Sequence, residues 1–303
     1  STPNDPRFDQ WHYEQAGLNL PTAWDTATGS GVAVLDTGYR PHADLNANIL
    51  PGYDMISNLS VANDGRDSDA RDPGDAVANE CGTNGAQNSW HGTHVAGTVA
   101  VTNGEGVAGV AYNAKVPVRV LGKCGLTSDI ADGIWASGSV SGIPANSNPA
   151  DVINMSLGSG SCSTQNAINT ARSNGTVIAG NDNDNSANYN PGNCNGVNVG
   201  SVGRNGRAYS NYGSNIDVAP GAQSFANDSE GVLSTYNSGS TPSDSYGYSQ
   251  GTSMAPHVAG VALIKQAKPD ATPDEIESIL KSTRSFPATC TSCGTGIVDA
   301  VAS

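Results

Sequence analysis

The chain has 303 residues, of which 28 are acidic and 14 basic, so its formal net charge at pH 7 is −14. A surface of that sign repels phosphate backbones and anionic lipid, which argues against nucleic acid and membranes as partners. No apolar run approaches the roughly 18 residues of a membrane span, and no basic segment followed by an apolar stretch opens the chain, so we expect a mature form without signal peptide or pro-segment.

The cysteines are even in number, and only one pair has the C-x-x-C spacing of a zinc site. An even number in an acidic, lysine-poor chain favours disulfides over zinc ligands or reduced thiols, and with them an oxidising, extracellular setting. Connectivity cannot be deduced from sequence, although chain order suggests Cys81 with Cys124, Cys162 with Cys194, and Cys290 with Cys293.

Continuously apolar, β-branched runs alternate along the chain with helical patterns. Runs of this kind are typical of strands whose sheet is covered on both faces. Strands are predicted over 31–38, 114–122, 150–158, 175–181, 197–203 and 216–221. Helices are predicted between them over 128–138 and 162–175, the second ending at Gly175. This alternation predicts an α/β fold with a mostly parallel sheet and right-handed crossovers.

Two further helices are predicted near the end of the chain. The stretch "GTSMAPHVAGVALIKQAKP" is apolar nearly all round, and its proline is tolerated only in a first turn, so a buried helix is expected to start at Ser253 or just before it. The next helix has Thr272 as N-cap, Pro273 at its first position and Glu275 at its third. No linker, repeat or charge block divides the chain, so we expect one domain over residues 1–303.

The five histidines separate into three groups. The phrase H-V-A-G begins at both His94 and His257, and its small residues let helices pack closely, so both are interpreted as packing histidines. His91 stands at the start of a predicted helix, where an imidazole can point into a cleft. His12 and His42 lie among polar loop residues and are expected to be solvated.

Three more residues can act together with His91. Asp36 ends a strand, at the edge of a parallel sheet where sites form, and a buried aspartate needs a partner such as an imidazole N–H. Ser253 lies where the N–H groups of a helix start stabilise negative charge, although it is also an ordinary N-cap residue. Asn181 ends a strand and can donate its amide to an oxyanion, although asparagine after glycine is also common in turns.

Together, "VAVLDTG", "HGTHVAGT", "AGN" and "GTSMAPHVAG" resemble the aspartate, histidine, oxyanion-asparagine and serine motifs of the subtilases, the subtilisin-like serine endopeptidases. The likeness covers almost the whole chain, and "TPNDPRF" and "AWD" resemble the thermitase branch and related secreted bacterial enzymes. It implies a three-layer subtilisin-like fold, with a mostly parallel twisted central sheet flanked by helices. It also implies that Ser253 attacks the scissile carbonyl, His91 transfers the proton, Asp36 orients His91, and Asn181 holds the oxyanion with the Ser253 N–H.

The resemblance further implies a monomeric, secreted enzyme that acts on proteins or peptides and is made with its own pro-segment. Its substrate should add as an extended strand beside two segments of the enzyme. The residues expected at the substrate are Gly122, Gly125, Ser156, Leu157, Gly158, Ala179 and Gly180. No acidic residue occurs in the expected S1 walls, 156–159 and 178–180, which favours an apolar or unspecific P1 side chain. The polar loop 182–196 is expected near the pocket floor, tethered there if Cys162 pairs with Cys194.

Calcium in a structural role is the expected cofactor. The resemblance implies one site with ligands from Asp5, Asp44 and the loop residues Val101, Asn103 and Val107. A second candidate is the stretch "NDGRDSDARDPGD", which holds Asp64, Asp67, Asp69, Asp72 and Asp75. Closely spaced hard oxygen ligands suit Ca²⁺, the alternative being a hydrated acidic loop; the stretch is not an EF-hand, since the final bidentate glutamate is missing.

Three other functions were weighed against a serine endopeptidase. An esterase of the α/β-hydrolase type requires G-x-S-x-G and the order Ser, Asp, His, which this chain lacks. Sedolisins replace the histidine by glutamate and the oxyanion asparagine by aspartate, whereas His91 and Asn181 are present here. A catalytically inactive binding relative usually lacks a triad member, and none is missing.

Overall fold

The structure is a computed structural model that describes residues 31–58, 65–75, 88–99, 115–122, 124–157, 164–181, 197–199, 202–203, 221–223, 232–237, 244–249 and 260–281. Within these ranges, no helix is long and apolar enough to cross a membrane.

The strands in this part of the chain are β1 (Val32–Asp36), β2 (Tyr53–Asp54), β3 (Lys115–Arg119), β4 (Val152–Met155), β5 (Val177–Asn181), β6 (Val197–Val199), β7 (Val202–Gly203), β8 (Gly221–Gln223), β9 (Val232–Asn237) and β10 (Asp244–Ser249). The α-helices are α1 (His91–Val99), α2 (Thr127–Asp132), α3 (Gln165–Ser173), α4 (Gly260–Ala267) and α5 (Pro273–Lys281), and 3-10 helices span Asn46–Asn48 and Gly133–Ser137.

The first six strands form one sheet in the order β2-β3-β1-β4-β5-β6, and every pairing in it is parallel. All residues of β1 and β4 are buried, as the continuous apolar runs predicted. The carboxyl ends of β1, β3, β4 and β5 therefore meet at one edge of the sheet. There Asp36 lies opposite Arg119 in register, and Arg119 makes a buried ion pair with Asp54 at 2.8 Å.

Helices cover both faces of the sheet, and neighbouring residues of β1 show which helix lies on which face. Leu35 faces the 3-10 helix that follows α2, since a Cβ on Gly133 would lie 2.4 Å from Leu35 Cδ2. Asp36 is the next residue, so its side chain points to the opposite face, where it contacts His91 of α1. This arrangement confirms the three-layer, mostly parallel fold.

The hand of one crossover differs from the expectation. The chain passes from β2 through α1 to β3, and from β3 through α2 to β4, in the same direction along the sheet. Because α1 and the 3-10 helix after α2 lie on opposite faces, these two crossovers have opposite hands. The prediction of uniformly right-handed crossovers is therefore wrong, and one of them is the rare left-handed connection, since about 98% are right-handed.

The remaining predicted elements are largely where the sequence placed them. The helix predicted over 162–175 is α3, and Gly175 follows it with a φ of 88°, the left-handed conformation expected after a helix end. In α5, the N–H of Glu275 donates to Thr272 Oγ1 at 3.3 Å, so Thr272 is the predicted N-cap. The helix predicted over 128–138 is α2 followed by the 3-10 turn.

One predicted strand differs from the structure, and another strand and one helix are predicted partly outside the described residues. The single strand predicted over 197–203 is two strands, because β6 joins the main sheet whereas β7 pairs with β8. The strand predicted over 216–221 lies outside the described residues except for Gly221, and so does the start of the helix predicted from Ser253.

An antiparallel hairpin of β9 and β10 packs against α1, and the contact is made by hydroxyl groups. Ser234 Oγ donates to the His94 carbonyl at 2.7 Å, and Thr235 Oγ1 donates to the Thr93 carbonyl at 2.8 Å. A Cβ on Gly97 would lie 2.2 Å from each of these hydroxyl oxygens. Gly97 is therefore what allows the helix and the strand to approach so closely.

Candidate active site

Asp36 occupies the carboxyl end of β1, and its carboxylate is buried. Its Oδ1 accepts two hydrogen bonds, from the Thr37 N–H at 2.7 Å and from His91 Nδ1 at 2.8 Å. Burying a carboxylate is costly unless donors surround it. These two donors supply part of that compensation, since both reach Oδ1 and the buried Oδ2 has no hydrogen-bond partner among the described residues. The partner predicted for Asp36, an imidazole N–H, is thus present.

His91 is the first residue of α1, and its side chain is 29% exposed. Burial opposes protonation of the imidazole, but the charge and hydrogen bond of Asp36, together with the charges of Asp75 and Asp72, outweigh it and raise the pKa of His91. Since Nδ1 faces the carboxylate, it holds the proton in the neutral ring, and Nε2 is left with its lone pair. The ring is therefore set up to accept a proton at Nε2.

The backbone that leads into α1 is unusual at Trp90. This buried residue has a φ of 47°, in the left-handed region that non-glycine residues rarely adopt. Its carbonyl accepts the N–H of His94 at 3.2 Å and so belongs to the first turn of the helix. The strain of such a residue persists only where the surroundings hold it, and it lies next to His91.

Of the other two predicted site residues, Asn181 is described by the structure and Ser253 is not. Asn181 is the last residue of β5, so its backbone lies at the same edge of the sheet as Asp36. Ser253 lies outside the described residues, and its role stays a prediction.

Comparison with known proteins agrees with this arrangement. The model of the subtilase family matches residues 27–296. An extracellular protease of Xanthomonas campestris pv. campestris is 57% identical over 99% of this chain, and thermitase of Thermoactinomyces vulgaris is 36% identical over 86% of this chain and 84% of its own length. The chain belongs to the subtilase family.

Solved structures agree with the family assignment. A structure of proteases from Pseudoalteromonas arctica is 83% identical, has a TM-score of 0.93, and covers 100% of this chain and 98% of its own. The chain spans 56% of the length of the Xanthomonas relative, little more than half.

Four of the predicted substrate-binding residues of this subtilase lie on loops that leave the sheet on either side of β1. Gly122 follows β3, and its N–H donates to the Cys124 carbonyl at 3.0 Å. Gly125 lies close to the end of the same strand, since a Cβ there would be 2.9 Å from the Val120 carbonyl oxygen. Ser156 and Leu157 follow β4 on the other side, and Asn154 Nδ2 donates to Ser156 Oγ at 2.8 Å. Ala179 and Gly180 lie in β5, and Gly158 lies outside the described residues.

The acidic stretch predicted to bind calcium has two parts with different surroundings. Asp69 is on the surface, where both its oxygens accept hydrogen bonds from Arg71, and the Arg71 side chain lowers the pKa of Asp69. Asp67 pairs with Asp54 through backbone hydrogen bonds, and its Oδ1 accepts the Asp69 N–H at 2.8 Å. Asp64 lies outside the described residues.

Asp72 and Asp75, in contrast, are buried beneath the start of α1. Burial and the charge of Asp75 raise the pKa of Asp72 to about 6, with hydrogen bonds from Gly74 and Thr37 opposing the rise. No three histidine, cysteine or acidic side chains in the described part of the chain come together in a way that could hold a metal ion. The described carboxylates of this stretch accept from protein donors, and as arranged they do not fit a shared calcium ion.

The other predicted calcium site contributes one described residue. Asp44 is buried, its Oδ2 accepts the Tyr246 hydroxyl at 3.1 Å, and its N–H donates to His42 Nδ1 at 3.0 Å. A buried carboxylate fits one ligand of a calcium site, whereas Asp5, Val101, Asn103 and Val107 lie outside the described residues.

Two histidine predictions have opposite outcomes, and two others lie outside the described residues. The expectation that His42 is solvated is wrong: it is 1% exposed, and its ring meets that of Tyr246 edge-on at 5.2 Å. His94 is buried in α1, as expected for a packing histidine. His12 and His257 are the two that are not described.

Among the predicted cysteine pairs, the structure describes one member. Cys124 is disulfide-bonded. Its suggested partner Cys81, and the pairs Cys162–Cys194 and Cys290–Cys293, lie outside the described residues, so the pairing stays a prediction.

The sequence analysis did not identify Thr37 and Ser89, which contact the backbone of α1 beside Asp36 and His91. Thr37 Oγ1 accepts the Gly92 N–H at 3.0 Å, and Ser89 Oγ accepts the His91 N–H at 3.3 Å. A sequence signal existed for both, since Thr37 directly follows Asp36 and Ser89 lies two residues before the helix start, where free N–H groups need acceptors.

Proposed function

We propose that this subtilase chain is the catalytic domain of a secreted serine endopeptidase with an Asp36–His91–Ser253 triad. The observation that carries the proposal is the 2.8 Å contact between His91 Nδ1 and the buried Asp36 carboxylate at the carboxyl edge of the sheet. Its support is that the histidine and serine motifs both occur, in the family's order, in a chain that belongs to the family.

In the proposed mechanism, Ser253 Oγ forms a bond to the scissile carbonyl carbon while its proton passes to His91 Nε2. Asp36 holds the imidazole in the tautomer that accepts there and stabilises the imidazolium that forms. The carbonyl oxygen becomes an oxyanion, which Asn181 and the Ser253 N–H stabilise by donating hydrogen bonds.

The tetrahedral intermediate then breaks the C–N bond, and His91 returns the proton to the leaving amine. This leaves an acyl-enzyme on Ser253, which a water molecule hydrolyses by the same steps with His91 again as the base. The raised pKa of His91 suits this exchange, since the ring must carry a proton in one half of each step and lose it in the other.

The loops beside β1 give the proposal its substrate geometry. Gly122 and Gly125 on one side, and Ser156 and Gly158 on the other, would receive an extended peptide between them. Leu157, Ala179 and Gly180 bring no charge to the expected S1 walls, so an apolar P1 side chain is proposed. With an uncharged pocket of this kind, we propose a broad sequence specificity toward protein substrates.

Structural calcium, disulfides, maturation from a pro-segment, a single domain and a monomeric state complete the proposal. Calcium is proposed at the site that includes Asp44, whose carboxylate is buried. Secretion is supported by relatives such as the extracellular protease of Xanthomonas campestris pv. campestris, and by a cysteine that is disulfide-bonded.

The test is covalent labelling with a fluorophosphonate, read by intact mass and by mapping of the labelled peptide. We expect one adduct, on Ser253, which is lost in Ser253→Ala and falls by several orders of magnitude in rate in His91→Ala. Cleavage-site profiling with a peptide library then checks the apolar P1 preference. A folded, calcium-loaded sample that forms no adduct would overturn the proposal and favour an inactive binding relative.

A further inference from the structure

Asp75 is connected to the backbone of the catalytic histidine through one hydroxyl. Its Oδ1 accepts the Ser89 N–H at 2.6 Å, and its Oδ2 accepts the Ser89 hydroxyl. The same hydroxyl oxygen accepts the N–H of His91 at 3.3 Å. A chain of hydrogen bonds thus runs from a buried carboxylate to the first N–H of α1.

Asp72 is connected to the next N–H of the helix in the same way. Its Oδ2 accepts the Thr37 hydroxyl at 3.2 Å, and Thr37 Oγ1 accepts the Gly92 N–H at 3.0 Å. Thr37 also donates its own N–H to Asp36 Oδ1. Thr37 therefore touches both halves of the catalytic pair, the carboxylate by its backbone and the histidine helix by its side chain.

The start of α1 packs tightly against the segment that follows β1. A Cβ on Gly92 would lie 2.0 Å from the Gly38 carbonyl oxygen and 3.1 Å from Thr37 Oγ1. Trp90, immediately before the catalytic histidine, has its strained φ of 47°. Strain of this kind persists only where neighbouring contacts hold the backbone. The two chains of hydrogen bonds described above, here called the relays, supply such contacts at Ser89 and His91, on either side of Trp90, and at Gly92.

From these contacts we propose that Asp72 and Asp75 are positioning residues that hold His91 against Asp36 through the hydroxyls of Thr37 and Ser89. The first N–H groups of a helix have no partner within it, so each needs an external acceptor. A hydroxyl that donates to a carboxylate is a stronger acceptor, and negative charge near a helix start is favourable. The two relays thereby fix the first turn of α1 and with it the imidazole.

The inner half of the acidic stretch, Asp72 and Asp75, thereby has a role other than that of a hydrated loop or a calcium site. Asp72 and Asp75 are 1% and 3% exposed and act on α1, whereas Asp69 and Arg71 pair on the surface. The inference rests on the proposed function, because it takes His91 as the catalytic base.

The relays can be broken at the hydroxyl without touching a catalytic side chain. Ser89→Ala and Thr37→Val remove one hydroxyl each, while Ser89→Thr and Thr37→Ser keep it. Asp75→Asn and Asp72→Asn remove the negative charge of the carboxylates that accept hydrogen bonds from these hydroxyls. Arg71→Gln is the control, since Arg71 lies in the same stretch and its exposed side chain pairs with Asp69 on the surface.

We expect kcat for a peptide substrate to fall roughly 10- to 100-fold in the hydroxyl-less and Asn variants with KM little changed, since small misplacements of a catalytic group cost rates of that order. The hydroxyl-keeping variants should recover most of kcat, and Arg71→Gln should match the wild type. Active-site titration is used to express kcat per folded, competent enzyme.

A second readout is the low-field proton NMR resonance of His91 Nδ1–H in protein that has not been treated with fluorophosphonate. It should broaden or shift upfield in Ser89→Ala and Thr37→Val, and it reports the His91–Asp36 contact whether or not the protein turns over. Loss of thermal stability with unchanged kcat and an unchanged resonance would overturn the inference. Absence of fluorophosphonate labelling in the wild type would overturn the proposed function instead, and the resonance would still decide the inference.

Discussion

At the residue scale, the protonation of His91 depends on two opposing effects, the burial of its ring and the negative charge of nearby carboxylates. Partial burial disfavours the imidazolium, while the Asp36 carboxylate favours it by charge and by a 2.8 Å hydrogen bond, and Asp75 and Asp72 add charge from further away. The carboxylates dominate, so the pKa of His91 lies above its ordinary value. A base of this kind is active in its neutral form, which is the form present above that pKa.

This balance predicts the pH dependence of the reaction. Labelling of the wild type should accelerate as pH rises through the raised pKa of His91. In Asp36→Asn the burial contribution remains and the largest favourable one is lost, so the midpoint should move to lower pH while the rate falls roughly 10⁴-fold, as for other triads. The measurement is the fluorophosphonate rate against pH, with Arg71→Gln as a control. A midpoint that stays in place or rises in Asp36→Asn would contradict the assignment.

At the scale of elements, the first half of α1 is held by polar contacts, most of them with segments distant in sequence. Its start receives Thr37 and Ser89, and its middle receives hydroxyls from β9 through the carbonyls of Thr93 and His94. Apolar packing alone gives a helix freedom to slide, whereas hydrogen bonds of defined geometry set its position along the axis. The helix that carries His91, the proposed catalytic base, is thus placed by the hairpin as well as by the sheet.

Gly97 offers a test of the contact between α1 and the hairpin. An alanine there would place its Cβ 2.2 Å from the hydroxyl oxygens of Ser234 and Thr235, so helix and hairpin must separate. We expect Gly97→Ala to lower the free energy of unfolding by about 1–3 kcal/mol, as overpacking does. Thermal or denaturant unfolding measures the change.

Gly31→Ala is the matched control for that substitution. Its Cβ would meet Ala150 Cα and the Pro149 carbonyl oxygen at 3.9 Å, ordinary contact distances, so stability should change little. Equal effects of the two substitutions would show that the contact between α1 and β9 does not constrain the helix.

At the scale of the whole molecule, the proposed site draws on residues separated by long stretches of chain, from Asp36 to Ser253. The sheet brings the ends of β1, β3, β4 and β5 to one edge, and the crossover through α1 puts that helix on the face where Asp36 points. An excess of 14 negative charges accompanies this fold, and bound cations would reduce the repulsion.

Calcium removal tests the proposed cofactor on the intact protein. Binding to the folded state alone stabilises it by about 2.7 kcal/mol when calcium stands at 100 times its Kd, so EDTA should lower the Tm and added calcium should restore it. Magnesium at equal ionic strength separates specific binding from screening of the net charge. A Tm that responds equally to both ions, or to neither, would speak against a structural calcium site.

Much of the fold was predictable because its signals are local. The apolar runs of β1 and β4, the glycine after α3 and the cap at Thr272 each depend on a few adjacent residues. The split of 197–203 into β6 and β7 was not predictable, because the two halves of that run find different partners in space.

The sequence by itself determined the motifs, the strands of the central sheet except β2, and the pairing of Asp36 with His91, since these follow from local pattern and from the edge that parallel strands share. Tertiary structure alone decided the hand of the crossover through α1, the burial of His42 beside Tyr246, and the division of the acidic stretch into a surface part and a part that holds α1. Each of these depends on contacts between distant segments, as between Asp44 and Tyr246, which lie 202 residues apart. A one-dimensional pattern carries the tendency of a residue to be buried or paired, but not the identity of the partner that the folded chain brings to it.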